Sequence, residues 1–412
     1  MSAKLFNDLF RIRGYQYIRH ERQGNIMEIH IQPQDSTLVC SVCGCKDVMR
    51  KGTFNRSWQT VCVGSLLVRL VLHGHRVGCK QCGAIRQPKF GFADSRFSFT
   101  HAFERLVLDL CHSMTMLDVA KHLGVSWDVI KGIQKRHLTK TYKKPRLKHL
   151  THIAIDEIST GHGHKYLTVV LDLKSGAVVF VGDGKGAEAL LPFWARLRAS
   201  HAKIEAVATD MSPAYISAVE KYLPKASLIF DRFHIMKLFN DKLSDLRRDL
   251  YNKLTTGGEQ KLLKGVRWLL LKNEENLSQE RTGKTRRRLS EYERLQRALA
   301  INEPLAQAYY MKEELRYFWE QTDKETATRF LDDWISRALA SDTKMLNQFG
   351  KTLIKHRAGL LAFYDHRIST GPLEGTNNKI RVMQHKAYGF RDTEFFKLKI
   401  FDLHNSRYAL VG

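Results

Sequence analysis

The chain has 412 residues, 43% of them hydrophobic, enough to fill two or three domain cores and too apolar for a disordered tail. Its 67 Lys and Arg stand against 42 Asp and Glu, a net charge of +25. That balance favours a polyanionic partner, nucleic acid above all, because each neutralised phosphate releases counterions.

No apolar run reaches the roughly 18 residues of a membrane span. The N-terminal stretch MSAKLFNDLFRIRGYQYIRH is too interrupted by charge for a signal peptide. The seven cysteines, odd in number and clustered early, argue against a disulfide framework. A reducing, cytoplasmic setting is expected.

Cys40 and Cys43 form one C-x-x-C, and Cys79 and Cys82 a second. Each pair is followed by glycine, Gly44 and Gly83, which lets the backbone turn its amides toward the sulfurs. The intervening SWQTVCVGSLLVRLVLHGHRVGC reads as short β segments, so the two knuckles can close on one structural Zn²⁺ as a zinc ribbon. Cys45, Cys62 and Cys111 are left over as packing residues.

From about residue 96 the pattern turns helical. Leu117, Val119, Ala120 and Leu123, then Val125, Val129, Ile130 and Ile133, predict a helix over 117–122, a turn at Gly124 and a second helix capped by Ser126. This is a helix-turn-helix pattern, which a generic helical hairpin also fits. Lys131, Gln134, Lys135 and Arg136 on the second helix suit phosphates and base edges. A basic linker with Lys143, Lys144 and Arg146 follows, either part of the DNA surface or a solvated run.

Strands are predicted over 152–158, 166–173 and 177–182, a helix over 186–199, a strand ending at Asp210, a helix over 214–222 and the strand SLIFD. Three antiparallel strands and then alternating helix and strand give a mixed α/β sheet. From Arg232 to Gly359 the chain reads as charge-rich helix with Trp268, Trp319 and Trp334, and helix resumes after Pro372.

Three acids stand out. Asp156 interrupts an apolar strand, Asp210 ends a later one, and Glu374 sits in the first turn of a late helix, where it could be a mere companion of the helix dipole. Taken together they fit a ribonuclease H-like layout. Three carboxylates at one sheet edge would hold two hard cations, Mg²⁺ or Mn²⁺, able to activate an attacking oxygen and steady a leaving one. Arg381, seven residues past Glu374, shares its helix face and could meet the strand being cut.

The segments AIDE, ATDMSPAY, IFDRFH and TGPLEGTNNKIRVMQHKAYGFRD, in this order behind the cysteine pairs and the paired helices, resemble the DDE transposases of the ISL-three insertion-sequence group of bacteria. The resemblance implies Asp156, Asp210 and Glu374 as the catalytic triad. It makes the long helical stretch between the second and third acids an insertion domain. It implies Asp231 and His234 as a brace of the active site, although His234 also reads as a core histidine. The insertion tryptophans are either stacking platforms for a flipped base or core aromatics.

The expected architecture is multidomain. A zinc ribbon (1–95) and an all-α helix-turn-helix with its linker (96–149) precede an α/β ribonuclease H-like catalytic core (150–234 and 361–412), which an all-α insertion (235–360) interrupts. Such a protein would bind terminal inverted repeats and target DNA, and would act at least as a dimer when two ends are joined. A domesticated binder and a nuclease without strand transfer are the rival readings.

Overall fold

The computed structural model describes residues 3–10, 12–143, 145–161, 165–254, 257–280 and 289–404. Lys144, the tip of the 161–165 turn and the arginine-rich stretch at 281–288 lie outside these. The chain divides into two compact units, residues 1–144 with 382–412, and residues 145–381.

The first unit begins with α1 (Ala3–Phe10), β1 (Tyr15–Gln23), β2 (Ile26–Pro33), β3 (Val48–Gln59), β4 (Leu67–Cys79) and β5 (Ile85–Arg86). The sheet runs β1-β2-β4-β3, with β5 also on β4. Strand β4 alternates, sending Val68, Leu70 and Leu72 inward, the period of two that a one-sided sheet requires. Trp58 is fully buried there, edge-on to Phe90 and Phe92 at 4.9 and 5.2 Å. The cysteine pairs close one end of the long β3–β4 hairpin, where Val48 faces Cys79. The ribbon is therefore one edge of a larger sheet domain than its cysteines announce.

Three helices follow: α2 (His101–Leu110), α3 (Met116–Leu123) and α4 (Trp127–Tyr142). Thr115 caps α3 by accepting from the Asp118 amide at 3.2 Å, and Gly124 ends it at φ +63°, in the left-handed region glycine tolerates. Ser126 occupies the N-cap position of α4, but its side chain accepts no helix amide; its carbonyl takes the Val129 amide instead. Val119, Ala120, Leu123, Ile130 and Ile133 form the shared core.

The second unit opens with β6 (His152–Gly161), β7 (Lys165–Asp172), β8 (Val178–Asp183), α5 (Leu191–Ser200), β9 (Ala206–Thr209), α6 (Pro213–Tyr222) and β10 (Ser227–Phe230). Its sheet order is β10-β9-β6-β7-β8, with β6, β7 and β8 antiparallel and β9 and β10 parallel to β6. The near-continuous burial of β7 and β8 matches a sheet covered on both faces.

Helices α7 (Arg232–Lys253), α8 (Gly257–Gly265), α9 (Glu291–Ala300), α10 (Glu303–Leu315), α11 (Lys324–Ala340), α12 (Lys344–Leu361) and α13 (Phe363–His366) come next, then α14 (Gly371–Lys386), which begins in this unit. Helices α7 to α12 enclose a core around Phe239, Trp334 and Phe349, which Phe230 of β10 joins. Trp334 is fully buried and donates its indole N–H to the Met311 carbonyl at 3.0 Å; Trp319 is also buried, whereas Trp268 is exposed. Gly359 lets α12 lie close on β10, because a Cβ there would stand 2.3 Å from the Phe230 ring. That contact fixes the strand that ends just before Asp231.

The final helix, α15 (Thr393–Asp402), packs in the first unit against α4. The last segment, expected to complete the catalytic core as one piece, thus divides after Arg381. The physical reason lies in two ties: Asp392 holds Lys131 and Lys135, and Asp402 accepts from the Tyr142 hydroxyl at 2.8 Å.

Candidate functional site

The parallel pairing of β6 with β9 sets Ile155 opposite Thr209. The next residue on each strand's path is an acid, so Asp156, midway along β6, and Asp210, just past the carboxyl end of β9, emerge side by side, and strand ends of this kind are where open α/β sheets place their ligands. Asp156 is held from two directions. The Glu157 amide donates to its Oδ1 and the Asn377 side-chain amide to its Oδ2, each at 2.7 Å. Burial pushes its carboxyl above the ordinary value, with the Asp210 charge adding to the shift. Asp210 Oδ1 accepts from the Ser212 amide at 3.0 Å.

Glu374 lies exposed in the first turn of α14, its amide bonded to the Thr370 carbonyl at 2.8 Å. The Thr370 hydroxyl donates to Asp231, which is buried at the start of α7. Burial alone would raise the Asp231 carboxyl, but His234 and Thr370 outweigh it and hold it below its usual range. His234 Nδ1 stands 3.7 Å from Asp231; that carboxylate first, and the charges of Asp156 and Asp210 besides, raise the imidazole pKa. Five residues named from the sequence thus join into two linked sets, and Asn377 and Thr370, which the sequence reading passed over, connect helix α14 to them. Both carry uncharged side chains inside a polar run, so nothing in composition set them apart.

Carboxylates are the donors a hard divalent cation takes. A half-buried Asp156 with a raised carboxyl, beside a second acid, is a site whose negative charge a cation would offset. The three acids do not form a group whose ligand atoms all lie within 4.8 Å; among the described residues that spacing belongs to the four cysteines. Cys40 and Cys82 Sγ are 3.6 Å apart and Cys43 and Cys79 Sγ 3.5 Å. A tetrahedral zinc with Zn–S near 2.3 Å asks for about 3.8 Å between sulfurs, so the donor set fits Zn²⁺. Gly44 and Gly83 take φ +76° and +70°, and the Cys82 amide points at Cys79 Sγ at 3.4 Å. That amide and Gln81's lower the Cys79 thiol to about 6, toward the thiolate a metal needs.

Four residues of α4 expected at DNA are engaged within the chain. Lys131 and Lys135 Nζ lie 3.0 and 2.9 Å from Asp392, and Gln134 is buried. Arg136 pairs with Glu104 and lies 4.0 Å over the Phe97 ring. The exposed residues of this helix are instead Trp127, Asp128, His137, Thr139, Lys140 and Thr141. Lys143 and Arg146 are exposed, and Arg381 is exposed with a bond to Asn378 Oδ1 at 2.9 Å.

A sheet-borne set of acids, a four-cysteine cluster and a helix-turn-helix define a nucleic-acid-processing protein with its own DNA-binding unit. A family model described as Transposase matches residues 153–400, and one described as Helix-turn-helix domain of transposase family ISL3 matches residues 88–138. The chain belongs to the ISL3 family of transposases. It is 29% identical over 406 residues to the transposase for insertion sequence element IS1001 of Bordetella parapertussis, covering 97% of this chain and 98% of the relative. It is 28% identical over 412 residues to the transposase for insertion sequence element IS1557 of Mycobacterium tuberculosis, covering 93% and 89%. The solved Drosophila P element transposase strand transfer complex matches at TM-score 0.41 and 10% identity over 76% of this chain and 93% of that one. Among the described residues no helix is long and apolar enough to cross a membrane.

Proposed function

We propose that the chain is a DDE transposase that binds the terminal inverted repeats of its element, cuts a phosphodiester at each end and joins the freed 3′-OH to target DNA. The observation that carries this reading is the β6–β9 register, which sets Asp156 beside Asp210, with α14 tied to the same edge through Asn377 and Thr370. The sheet order β8-β7-β6-β9-β10, three antiparallel strands and two parallel ones, supports the reading of a ribonuclease H-like core. Helices α7 to α12, which lie in the chain between β10 and α14, read as the insertion domain.

In this reading Asp156, Asp210 and Glu374 hold Mg²⁺ or Mn²⁺. When bound, two such ions supply charge stabilisation to the attacking and leaving oxygens of an in-line displacement. The chain's own residues orient the ligands: Asn377 fixes Asp156, and the Asp231–His234 pair stands next to the acids. The four cysteines hold one structural Zn²⁺, and the first unit, with Lys143 and α4's exposed residues, receives end DNA. Joining two ends requires at least a dimer on DNA, and the setting is the bacterial cytoplasm, on nucleoid DNA.

The test is labelled end DNA with Mg²⁺ or EDTA, comparing wild type with Asp210→Asn. Metal-dependent cutting lost in the variant, with end binding kept, is the expected result. Tight binding without cutting by wild type, with paired ends and target supplied, would move the reading to a DNA binder without catalysis.

A further inference from the structure

Two asparagines stand side by side in α14, and they face differently. Asn378 is exposed and gives its Oδ1 to Arg381. Asn377 is 3% exposed, donates Nδ2 to Asp156 Oδ2 at 2.7 Å, and leaves Oδ1 buried with no partner among the described residues. Chemistry fixes that orientation. Turned over, the amide would set its oxygen against the carboxylate's lone pairs, so the donor must face Asp156 and the acceptor must face away. A buried acceptor without a donor is costly to leave unmade, and such groups call for an ion or water to complete them.

Glu374 and Asn377 are three residues apart on one helix, so their side chains are neighbours on its surface. One helix therefore carries a carboxylate next to the neutral amide that holds Asp156. Magnesium sheds water reluctantly and keeps several waters when protein carboxylates bind it. Those waters need acceptors, and the orphaned Oδ1 is one.

Resting on the DDE reading, we propose that Asn377 is a positioning residue of the cation site: Nδ2 holds the Asp156 carboxylate in its ligating orientation, and Oδ1 accepts a hydrogen bond from a water around the bound cation. Outer contacts of this kind change metal affinity by about 10–100-fold. A plain bracket between α14 and β6 would stabilise the fold equally with and without metal, and that difference separates the two roles.

The experiment measures Mn²⁺ binding by electron paramagnetic resonance, with and without end DNA, and melting temperature in EDTA and in Mn²⁺. It compares wild type, Asn377→Leu, Asn377→Asp and Asp210→Asn. Leucine, near in size but apolar, is expected to weaken Mn²⁺ binding about 10–100-fold while leaving end-DNA binding in EDTA intact. Aspartate keeps an acceptor and loses the donor. It is expected to melt lower than wild type in EDTA and to gain more from Mn²⁺, which also keeps the test open should the leucine variant fold poorly. Mn²⁺ affinity within twofold of wild type in both variants, with equal losses of melting temperature in EDTA and Mn²⁺, would reduce Asn377 to a bracket. Mn²⁺ binding by wild type that Asp210→Asn leaves unchanged would overturn the triad reading itself, and this inference with it.

Discussion

Lys135 Nζ lies 2.9 Å from Asp392 Oδ2, joining the second helix of the helix-turn-helix to a residue 257 positions later. The same carboxylate takes Lys131 at 3.0 Å and caps α15 through the Phe395 amide at 3.0 Å. Lys135 thus has an ion-pair partner within the first unit, and its loss is expected to be felt in stability. Lys135→Ala is expected to lower unfolding stability by about 1 kcal/mol or less, as befits a half-exposed pair with a second lysine at hand. Asp392→Ala, which removes both pairs and the cap, should lose about 2 kcal/mol. The salt dependence of end-DNA binding should keep its slope in Lys135→Ala; a slope smaller by about one would return this lysine to the interface.

The same cluster makes a pH prediction. Lys135 first, then the Phe395 amide and Lys131, hold the Asp392 carboxyl far below the ordinary carboxylate range. A depressed folded pKa contributes stability that is complete above the unfolded value, near 3.9, and is lost as pH falls through the folded one. The stability gap between wild type and Asp392→Asn, read from urea unfolding, should be constant from pH 8 to 5 and shrink only below about pH 4. A gap that shrinks between pH 8 and 6 would point to a different titrating group.

These intramolecular pairs mark the limit of what the sequence disclosed. The helix-turn-helix was legible because apolar spacing and Gly124 are local signals. The strands of the second unit were legible because their apolar runs end in turn residues, and the cysteine cluster because C-x-x-C spacing is itself the geometry of a knuckle. Which way a basic helix faces depends on residues far along the chain, here Asp392 and Glu104, and no window of sequence around Lys135 contains them. For the same reason Asn377 and Thr370 went unread: each matters through a partner more than a hundred residues away. The sheet around the cysteines extends beyond the short β segments the sequence suggests, because β1 and β2 join β4 from outside the knuckles.

The cysteine cluster closes the end of the β3–β4 hairpin, so metal and fold are coupled. Cys79→Ser should lower zinc content from one per chain toward zero, and a structural zinc site is worth several kcal/mol of folding at least. The variant is expected to melt lower and to bind end DNA more weakly. Cys45→Ser, beside the cluster but outside it, should keep its zinc. Equal zinc in wild type and Cys79→Ser, measured by atomic absorption, would sink the assignment.

The tryptophans of the helical stretch separate by burial. Trp334 is enclosed by Phe239 and Phe349 with its indole N–H satisfied, so Trp334→Ala should destabilise by about 3–5 kcal/mol. Trp268 is 66% exposed beneath the Arg267 guanidinium, and Trp268→Ala should change stability by no more than about 0.5 kcal/mol. Chemical denaturation of the two variants checks both. A large effect on end-DNA binding from Trp268→Ala, at unchanged stability, would make it the stacking platform among the tryptophans.

Thr370 decides whether Asp231 and His234 are a brace or only a buried pair. Its hydroxyl donates to Asp231 while its carbonyl holds the turn that carries Glu374. Thr370→Val keeps the shape and removes the donor, leaving a buried carboxylate short of one bond, a loss of about 1–3 kcal/mol. If the pair braces the site, cutting of end DNA should fall by tenfold or more at a temperature where the variant is fully folded, with binding in EDTA unchanged. His234→Gln, which can still donate to Asp231, should then retain more activity than His234→Leu. Full cutting activity in folded Thr370→Val, alongside the stability loss, would assign Asp231 and His234 to the core alone.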